Sequence, residues 1–340
     1  MMNPLEEITA TPEIRGRNRW AVILAGGDGK RLLPLTKKIA GDERPKQFCA
    51  ILGGETLLDE TRRRLSALVS PCQTLVVVTK NHERHYSGAL AGTPSHTRVV
   101  QPFNQGTAPA IILGLMRLRA LDPRAVIGFF PSDHHFENDE EFVADVNSAF
   151  AYVESRRTPI VILGVAPDGP EVQYGWIEPG ARIDSRSSRV FWVNRFWEKP
   201  SLPLASSLMD QGCLWNSFVM VGQVESFIRL ISDACPDLMR CFEAIGDRYL
   251  TSGEEASVLH VYSNITSTNF SEAVLSRRAQ CLAVLSGGNL GWSDLGEPAR
   301  VLALLGSQVN ALERNSAWHN RQGSGPRMPQ QKSRLSRDEA

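Results

Sequence analysis

The 340-residue sequence predicts an α/β fold: a mixed, mainly parallel sheet with helices on both faces. Three observations predict it. From Trp20 to about Val165, short apolar runs alternate with stretches of helical periodicity, the pattern of parallel strands joined by crossover helices. These runs are continuously apolar rather than alternating, as strands covered on both faces require. After Pro170 the strands lengthen and become aromatic-rich, so the second half is read as mixed, extending the same sheet along the other side of a cleft.

In chain order, strands are expected at 21–24, 74–79, 98–101, 125–130 and 160–165. Between them, Leu57, Leu58, Thr61, Leu65 and Leu68 form one helix face. Ala108, Ile111, Ile112, Leu115 and Leu118 form a second, and Phe142, Val143, Val146, Phe150 and Val153 a third. Strands at 190–197, 214–221 and 281–285 follow, with helix-like segments at 202–211 and 224–232 and a glycine-containing aromatic loop at 173–177. A last helix ends in Val301, Leu302, Leu304 and Leu305. The domain is expected over 19–306, with a first half of about 19–168 and a second of about 169–306. Segments 1–18 and 307–340 read as disordered tails; the latter is rich in Asn, Gln, Ser, Arg and Pro. No solenoid-length repeat or heptad run is found.

Composition narrows the partners. A hydrophobic content of 42% is that of a globular chain with a core. Lys plus Arg and Asp plus Glu number 37 each, which supplies no field for nucleic acid or a membrane surface. No apolar run approaches the roughly 20 residues that span a bilayer. Glu6, Glu7 and Glu13 stand where a signal peptide would be apolar, so a cytoplasmic location is expected. The six cysteines form no Cys-x-x-Cys pair and read as mostly buried thiols.

The densest chemistry lies in Leu24-Ala25-Gly26-Gly27-Asp28-Gly29-Lys30-Arg31-Leu32, where an apolar run breaks into three glycines. Such a loop lets backbone N–H groups approach an anion. Lys30, Arg31 and, fourteen residues beyond Arg31, the segment Pro45-Lys46-Gln47-Phe48 add three cations, which suits a polyphosphate. Walker A spacing is excluded, because Leu24 and Arg31 occupy its glycine and hydroxyl positions. A dinucleotide fingerprint fails at Leu32.

Ligands of open α/β sheets bind beyond the carboxyl ends of the strands. Pro131-Ser132-Asp133-His134-His135 follows one such end, and Asp133 can hold a hard cation beside phosphates or cap a turn. Asp294, in Gly291-Trp292-Ser293-Asp294-Leu295-Gly296, can complete a Mg²⁺ site or serve as the N-cap of the last helix. His134 and His135 point opposite ways on an extended segment and are read as structural or peripheral. Glu198-Lys199-Pro200, Gln173-Tyr174-Gly175-Trp176-Ile177 and Trp215-Asn216-Ser217 place polar groups beside aromatic faces, a surface suited to sugar hydroxyls.

Together these segments resemble the sugar-1-phosphate nucleotidylyltransferase family, and within it the mannose-1-phosphate guanylyltransferase branch. The resemblance spans about Trp20 to Leu305. It rests on LAGGDGKRLLPL at Leu24 to Leu35, RPKQF at Arg44 to Phe48, TAPAI at Thr107 to Ile111, PSDH at Pro131 to His134, YGWI at Tyr174 to Ile177, EKP at Glu198 to Pro200, WNS at Trp215 to Ser217 and GWSDLG at Gly291 to Gly296. The resemblance implies a Rossmann-like fold of the nucleotide-diphospho-sugar transferase type. It also implies transfer of a nucleoside monophosphate from GTP to mannose-1-phosphate with Mg²⁺.

By the same resemblance, Arg31, Lys46, Asp133 and Asp294 are the catalytic residues, and Asp133 and Asp294 bind the metal. Leu24, Ala25, Gly26, Gly27, Gly29, Lys30, Arg31, Lys46, Gln105, Gly106, Thr107, Ala108 and Asp133 fall on the nucleotide side. Tyr174, Gly175, Glu198, Lys199 and Asn216 fall on the sugar-phosphate side. Three departures leave base and sugar open: Lys30 for a small hydroxyl residue, Gln105-Gly106 for Arg-Asn, and Phe218 for glycine after Trp-Asn-Ser. The chain reads as a single-activity enzyme, without the isomerase domain of the long form or a hexapeptide-repeat segment. UTP or dTTP with glucose-1-phosphate, a non-catalytic nucleotide-sugar sensor and a glycosyltransferase of similar topology are the competing readings; the last would carry Asp-x-Asp where Pro131-Ser132-Asp133 stands. A homodimer is the expected assembly.

Overall fold

A computed structural model describes residues 18–156, 159–183 and 189–306. Of the expected tails, 1–18 and 307–340, all but residue 18 lie outside the described residues. The described residues up to Gly296 form one compact unit, and those from Glu297 a second, of which 298–306 is helical.

The first unit is built on a nine-stranded sheet. Its strands include β1 (Arg19–Leu24), β2 (Thr74–Thr79), β3 (Arg98–Gln101) and β4 (Val126–Pro131). After the two-residue β5 (His135–Phe136) come β6 (Ile160–Val165), β7 (Gly175–Arg182), β8 (Val190–Glu198), β9 (Leu214–Gln223) and β10 (Leu282–Ser286). A short β11 (Trp292–Ser293) pairs with β5 apart from the main sheet. The order is β3-β2-β1-β4-β9-β6-β10-β8-β7, with β9 also paired to β7. β1 to β4 are mutually parallel, as are β6 and β10; the pairings of β9, β8 and β7 are antiparallel. The sheet is therefore mixed, with its parallel block in the first half.

The helices are α1 (Leu33–Ala40), α2 (Leu57–Leu65), α3 (Glu83–Tyr86), α4 (Thr107–Leu121) and α5 (Asp139–Arg156). They continue with α6 (Leu202–Asp210), α7 (Val224–Ala234), α8 (Pro236–Glu243) and α9 (Glu254–Asn264). Alternate residues of each strand enter opposite cores, as period-two side-chain geometry requires. Val22 and Val77 pack with Ile111, Ile112 and Leu115 of α4 and with Phe227 of α7. Ala21, Ile23, Val76 and Val78 pack with Leu58 of α2 and with Phe142, Val146 and Phe150 of α5. Both faces are covered, which is why these strands carry almost no polar residues.

Two expectations change. The aromatic loop at 173–177 is the start of β7: Gly175 pairs with Glu198 and Trp176 with both Trp197 and Trp215. Its glycine marks close packing rather than a turn, because a Cβ at Gly175 would lie 2.8 Å from the Phe196 ring. Asp294 is not the N-cap of the last helix, which starts at 298; its Oδ1 instead accepts the backbone N–H of Gly296, 2.8 Å away.

Candidate active site

The strand ends of β1, β3, β4, β7, β8 and β9 surround a cleft of about 400 Å³. Its wall on one side begins where β1 gives out. There three backbone carbonyls of the glycine loop are held from behind. Gln47 Nε2 donates to Ala25 O (3.0 Å) and Gly27 O (2.7 Å), and Thr79 Oγ1 donates to Gly26 O (2.8 Å). With its acceptors occupied, the loop has N–H groups left for an anion. Gly26 packs tightly: a Cβ there would lie 2.2 Å from Gln101 Nε2 and 2.9 Å from Thr79 Oγ1, so both side chains would have to shift. Gly29 adopts φ 61° and packs against Pro45 and the Lys46 backbone, which brings the loop and the 45–48 turn together.

On the same side, α4 presents its N-terminus. Gly106, at φ 88°, precedes the first turn, and Thr107 and Ala110 line the cleft beside it. The segment is zipped to 268–270. Ala108 N–H donates to Thr268 O (3.0 Å), Thr268 N–H to Gln105 O (3.0 Å) and Phe270 N–H to Thr107 Oγ1 (2.8 Å). A helix N-terminus here adds partial positive charge, as phosphate binding favours.

The carboxylates approach from two distant chain segments. Ser132 is anchored on β1, its N–H and Oγ both donating to Leu24 O, and this fixes Asp133 at the cleft. Asp294 lines the same cleft and accepts the Tyr174 hydroxyl at 3.2 Å. Lys46 links the two segments: its ammonium lies 3.2 Å from Asp133 Oδ2 and donates to the backbone carbonyls of Asp294 and Leu295. Beneath them lies an aromatic floor, with the Tyr174 ring tilted against Trp292 at 4.7 Å and edge-on to Trp215 at 5.0 Å between ring centroids. His134 belongs to this floor. It accepts a hydrogen bond from Trp292 Nε1 at 3.2 Å, and burial holds its pKa below the usual histidine range, so the ring is a neutral structural acceptor.

The opposite wall carries Gln173, Tyr174, Gly175, Glu198, Lys199, Asn216 and Phe218. Burial raises the pKa of Glu198 above the ordinary carboxyl value, with Lys199 opposing the shift. Lys199 has φ 46°, and its N–H donates to Tyr174 O at 3.2 Å.

Of the sequence-predicted residues, the cleft is lined by Leu24, Gly26, Gly27, Arg31, Gly106, Thr107, Asp133, Tyr174, Gly175, Glu198, Lys199, Asn216 and Asp294. Six others stand outside that lining. Ala25 and Ala108 are buried in the core, and Gly29 and Lys46 lie behind the loop. Gln105 donates to the carbonyls of Tyr262 and Ile265, and Lys30 projects into solvent near Asp28. The lining also includes Gln101, Asn104, Asn269 and Ser271, which carried no motif. Gln101 ends β3 and Asn104 follows it, a signal that could have found them; Asn269 and Ser271 had none.

Helices cover both faces of a mixed sheet, and a glycine loop and two carboxylates line one cleft, the arrangement of an α/β protein with a ligand site at its strand ends. The nucleotidyl transferase family matches residues 20–305, and the chain belongs to it. Among curated relatives, a mannose-1-phosphate guanylyltransferase of Escherichia coli is 26% identical over 305 residues, covering 88% of this chain and 63% of the relative. Alginate biosynthesis protein AlgA of Pseudomonas syringae pv. tomato is 29% identical over 282 residues, covering 81% and 56%. The chain thus spans about three fifths of the length of the curated relatives it matches. A solved structure described as mannose-1-phosphate geranyltransferase from Thermus thermophilus is 28% identical with a TM-score of 0.70, covering 82% of this chain and 76% of its own. One described as mannose-6-phosphate isomerase from Helicobacter pylori has a TM-score of 0.63 at 20% identity, covering 81% and 99%, and shares the fold. No helix among the described residues is long and apolar enough to cross a membrane.

Proposed function

We propose that the chain transfers a nucleoside monophosphate from GTP to mannose-1-phosphate, releasing pyrophosphate and a nucleotide-diphosphate sugar. The observation that carries this reading is that one cleft joins the glycine loop, Arg31 and both carboxylates to the polar wall of Glu198, Lys199 and Asn216. The names of the relatives support the guanylyl and mannose choices. In the reaction, a phosphate oxygen of the sugar phosphate forms a bond to the α-phosphorus. The bond from that phosphorus to the β-phosphate's bridging oxygen breaks, and pyrophosphate leaves with the electron pair. Such chemistry needs alignment and charge neutralisation more than an acid–base pair.

The residues divide that work. Loop N–H groups, Arg31 and the α4 N-terminus receive the triphosphate; Lys199 and Asn216 receive the sugar phosphate; Glu198 accepts from sugar hydroxyls. Asp133 and Asp294 are hard oxygen donors on one cleft, a set that fits Mg²⁺ when phosphate oxygens and water complete its octahedron. Bound there, the ion supplies charge neutralisation for the phosphates. Lys46 keeps the two carboxylate segments at a fixed separation. We place the domain boundary after the last helix, the protein in the cytoplasm beside its nucleotide pool, and the assembly as a homodimer.

The test is pyrophosphate release from a grid of four nucleoside triphosphates and several sugar-1-phosphates, with and without Mg²⁺. Release with GTP and mannose-1-phosphate supports the reading. Release with UTP or dTTP and glucose-1-phosphate replaces the substrate pair, and silence from folded protein leaves a nucleotide-sugar sensor.

A further inference from the structure

Phe218 interrupts β9 in a conformation that a phenylalanine does not adopt without compensation. Its φ is 61°, in the left-handed region, where a bulky side chain is a steric outlier. The interruption is a bulge. Gly164 of β6 pairs with Asn216 and Ile162 with Met220, so a step of two residues along β6 is matched by a step of four along β9. Side chains take over the lost ladder bonds: Ser217 Oγ donates to Leu163 O (2.6 Å) and accepts from Val219 N–H (3.2 Å), while Asn216 Oδ1 accepts from Phe218 N–H (3.0 Å). The bulge thus has two results. It ties the oxygen of Asn216 to the Phe218 N–H, and it puts Phe218 into the cleft wall.

The ring is held there. It packs edge-on against Phe270, 6.2 Å between centroids, next to the cleft-lining Asn269 and Ser271 and on the wall that carries Glu198 and Lys199. Glycine would adopt the same backbone without strain and would leave that part of the wall open. Strain retained at a cleft by a large apolar ring is an arrangement that shapes a pocket.

We propose that Phe218 is a specificity-determining residue that narrows the sugar side of the cleft, so that unsubstituted hexose-1-phosphates enter and 2-acetamido-hexose-1-phosphates are rejected. This rests on the sugar-phosphate assignment of that wall. The test compares wild type, Phe218→Gly and Phe218→Leu with the unsubstituted and 2-acetamido forms of one hexose-1-phosphate. It measures kcat/KM for each sugar phosphate with the nucleotide saturating, and Kd for each by calorimetry. Wild type is expected to favour the unsubstituted sugar. Phe218→Gly should lower that preference at least about tenfold, the scale on which a pocket senses small groups, while Phe218→Leu restores most of it through bulk alone. The KM for the nucleoside triphosphate should move less than that for the sugar phosphate.

An unchanged preference in an active Phe218→Gly protein overturns the role of Phe218 and leaves the transferase reading intact. A wild type that binds sugar phosphates but turns none over removes the transferase reading, and the calorimetric preference still decides Phe218. Should Phe218→Gly fail to fold, the Phe218→Leu and Phe218→Ala pair decides in the same way, with equal preferences overturning the proposal.

Discussion

At the scale of single residues, the cleft depends on charges whose partners lie far away in sequence. Asp133 and Asp294 could each be read as a turn-capping residue, and position alone did not decide between capping and metal binding. Their juxtaposition comes from Lys46, 248 residues before the Asp294 carbonyl it binds, and no local pattern records such a contact. Asp133→Asn keeps the size of the side chain and removes its charge. It should lower kcat by about 10²-fold or more, the scale of a lost electrostatic contact to a transition state, with an unaltered circular dichroism spectrum. Full turnover of that variant with Mg²⁺ would remove Asp133 from the metal site. Lys46→Ala should weaken triphosphate binding and also lower the melting temperature, because a buried cation and three of its contacts are lost together. A variant with wild-type triphosphate affinity and melting temperature would dismiss Lys46 from both tasks.

The pH response is also set residue by residue. His82 is 8% exposed, and burial pushes its pKa below the usual histidine value although Asp28 lies 3.4 Å away. The native state therefore binds fewer protons than the unfolded chain once the pH falls below about 6.5. Stability is full above that pH and declines as the pH drops towards the native pKa. His85, His134 and His135 shift in the same direction and add to the slope. Urea midpoints at pH 7.5 and 5.5 should show a smaller acid loss for His82→Gln than for wild type. Equal losses would mean that His82 titrates alike in both states.

At the scale of elements, legibility followed burial. The strands at 74–79, 98–101 and 160–165 were read to the residue, because parallel strands between two helical layers are bounded apolar runs. β7 was missed as a strand because Gly175, Pro179 and Gly180 are turn residues by composition. The structure accommodates them with register shifts against β8 between Glu178 and Arg182. β5 and β11 are two residues each and have no periodicity to read. α8 and α9 went unassigned, and the segment after α9 that delivers Asn269 and Ser271 to the cleft went with them. Gly106 tests that delivery. At φ 88° a Cβ would also meet Thr268 O at 2.5 Å, so Gly106→Ala strains one element and pushes away its neighbour. We expect a loss of about 2 kcal/mol or more in urea denaturation, with weaker nucleotide binding. A neutral substitution would show that the 105–108 and 268–270 segments are not rigidly joined.

At the scale of the molecule, β9 makes the two halves one body. It pairs with β4 and β6 of the first half and with β7 of the second, so neither half closes its sheet alone. Phe150 of α5 is fully buried in the core that spans both, and Phe150→Ala should cost about 3–5 kcal/mol. Tryptophan fluorescence and circular dichroism should still report one coincident transition; two separated transitions would show halves that fold independently. The same continuity explains the cleft, since the phosphate wall comes from the parallel block and the sugar wall from the antiparallel strands of one sheet.

The central claim is that these walls join a sugar phosphate to an α-phosphorus. Phosphorus-31 NMR of the protein with GTP, mannose-1-phosphate and Mg²⁺ tests it most directly. The expected result is that the sugar monoester signal gives way to the paired signals of a sugar-linked diphosphate, with pyrophosphate formed in equal amount. Orthophosphate or free GMP in place of the diphosphate, or an unchanged monoester beside folded protein, would contradict it.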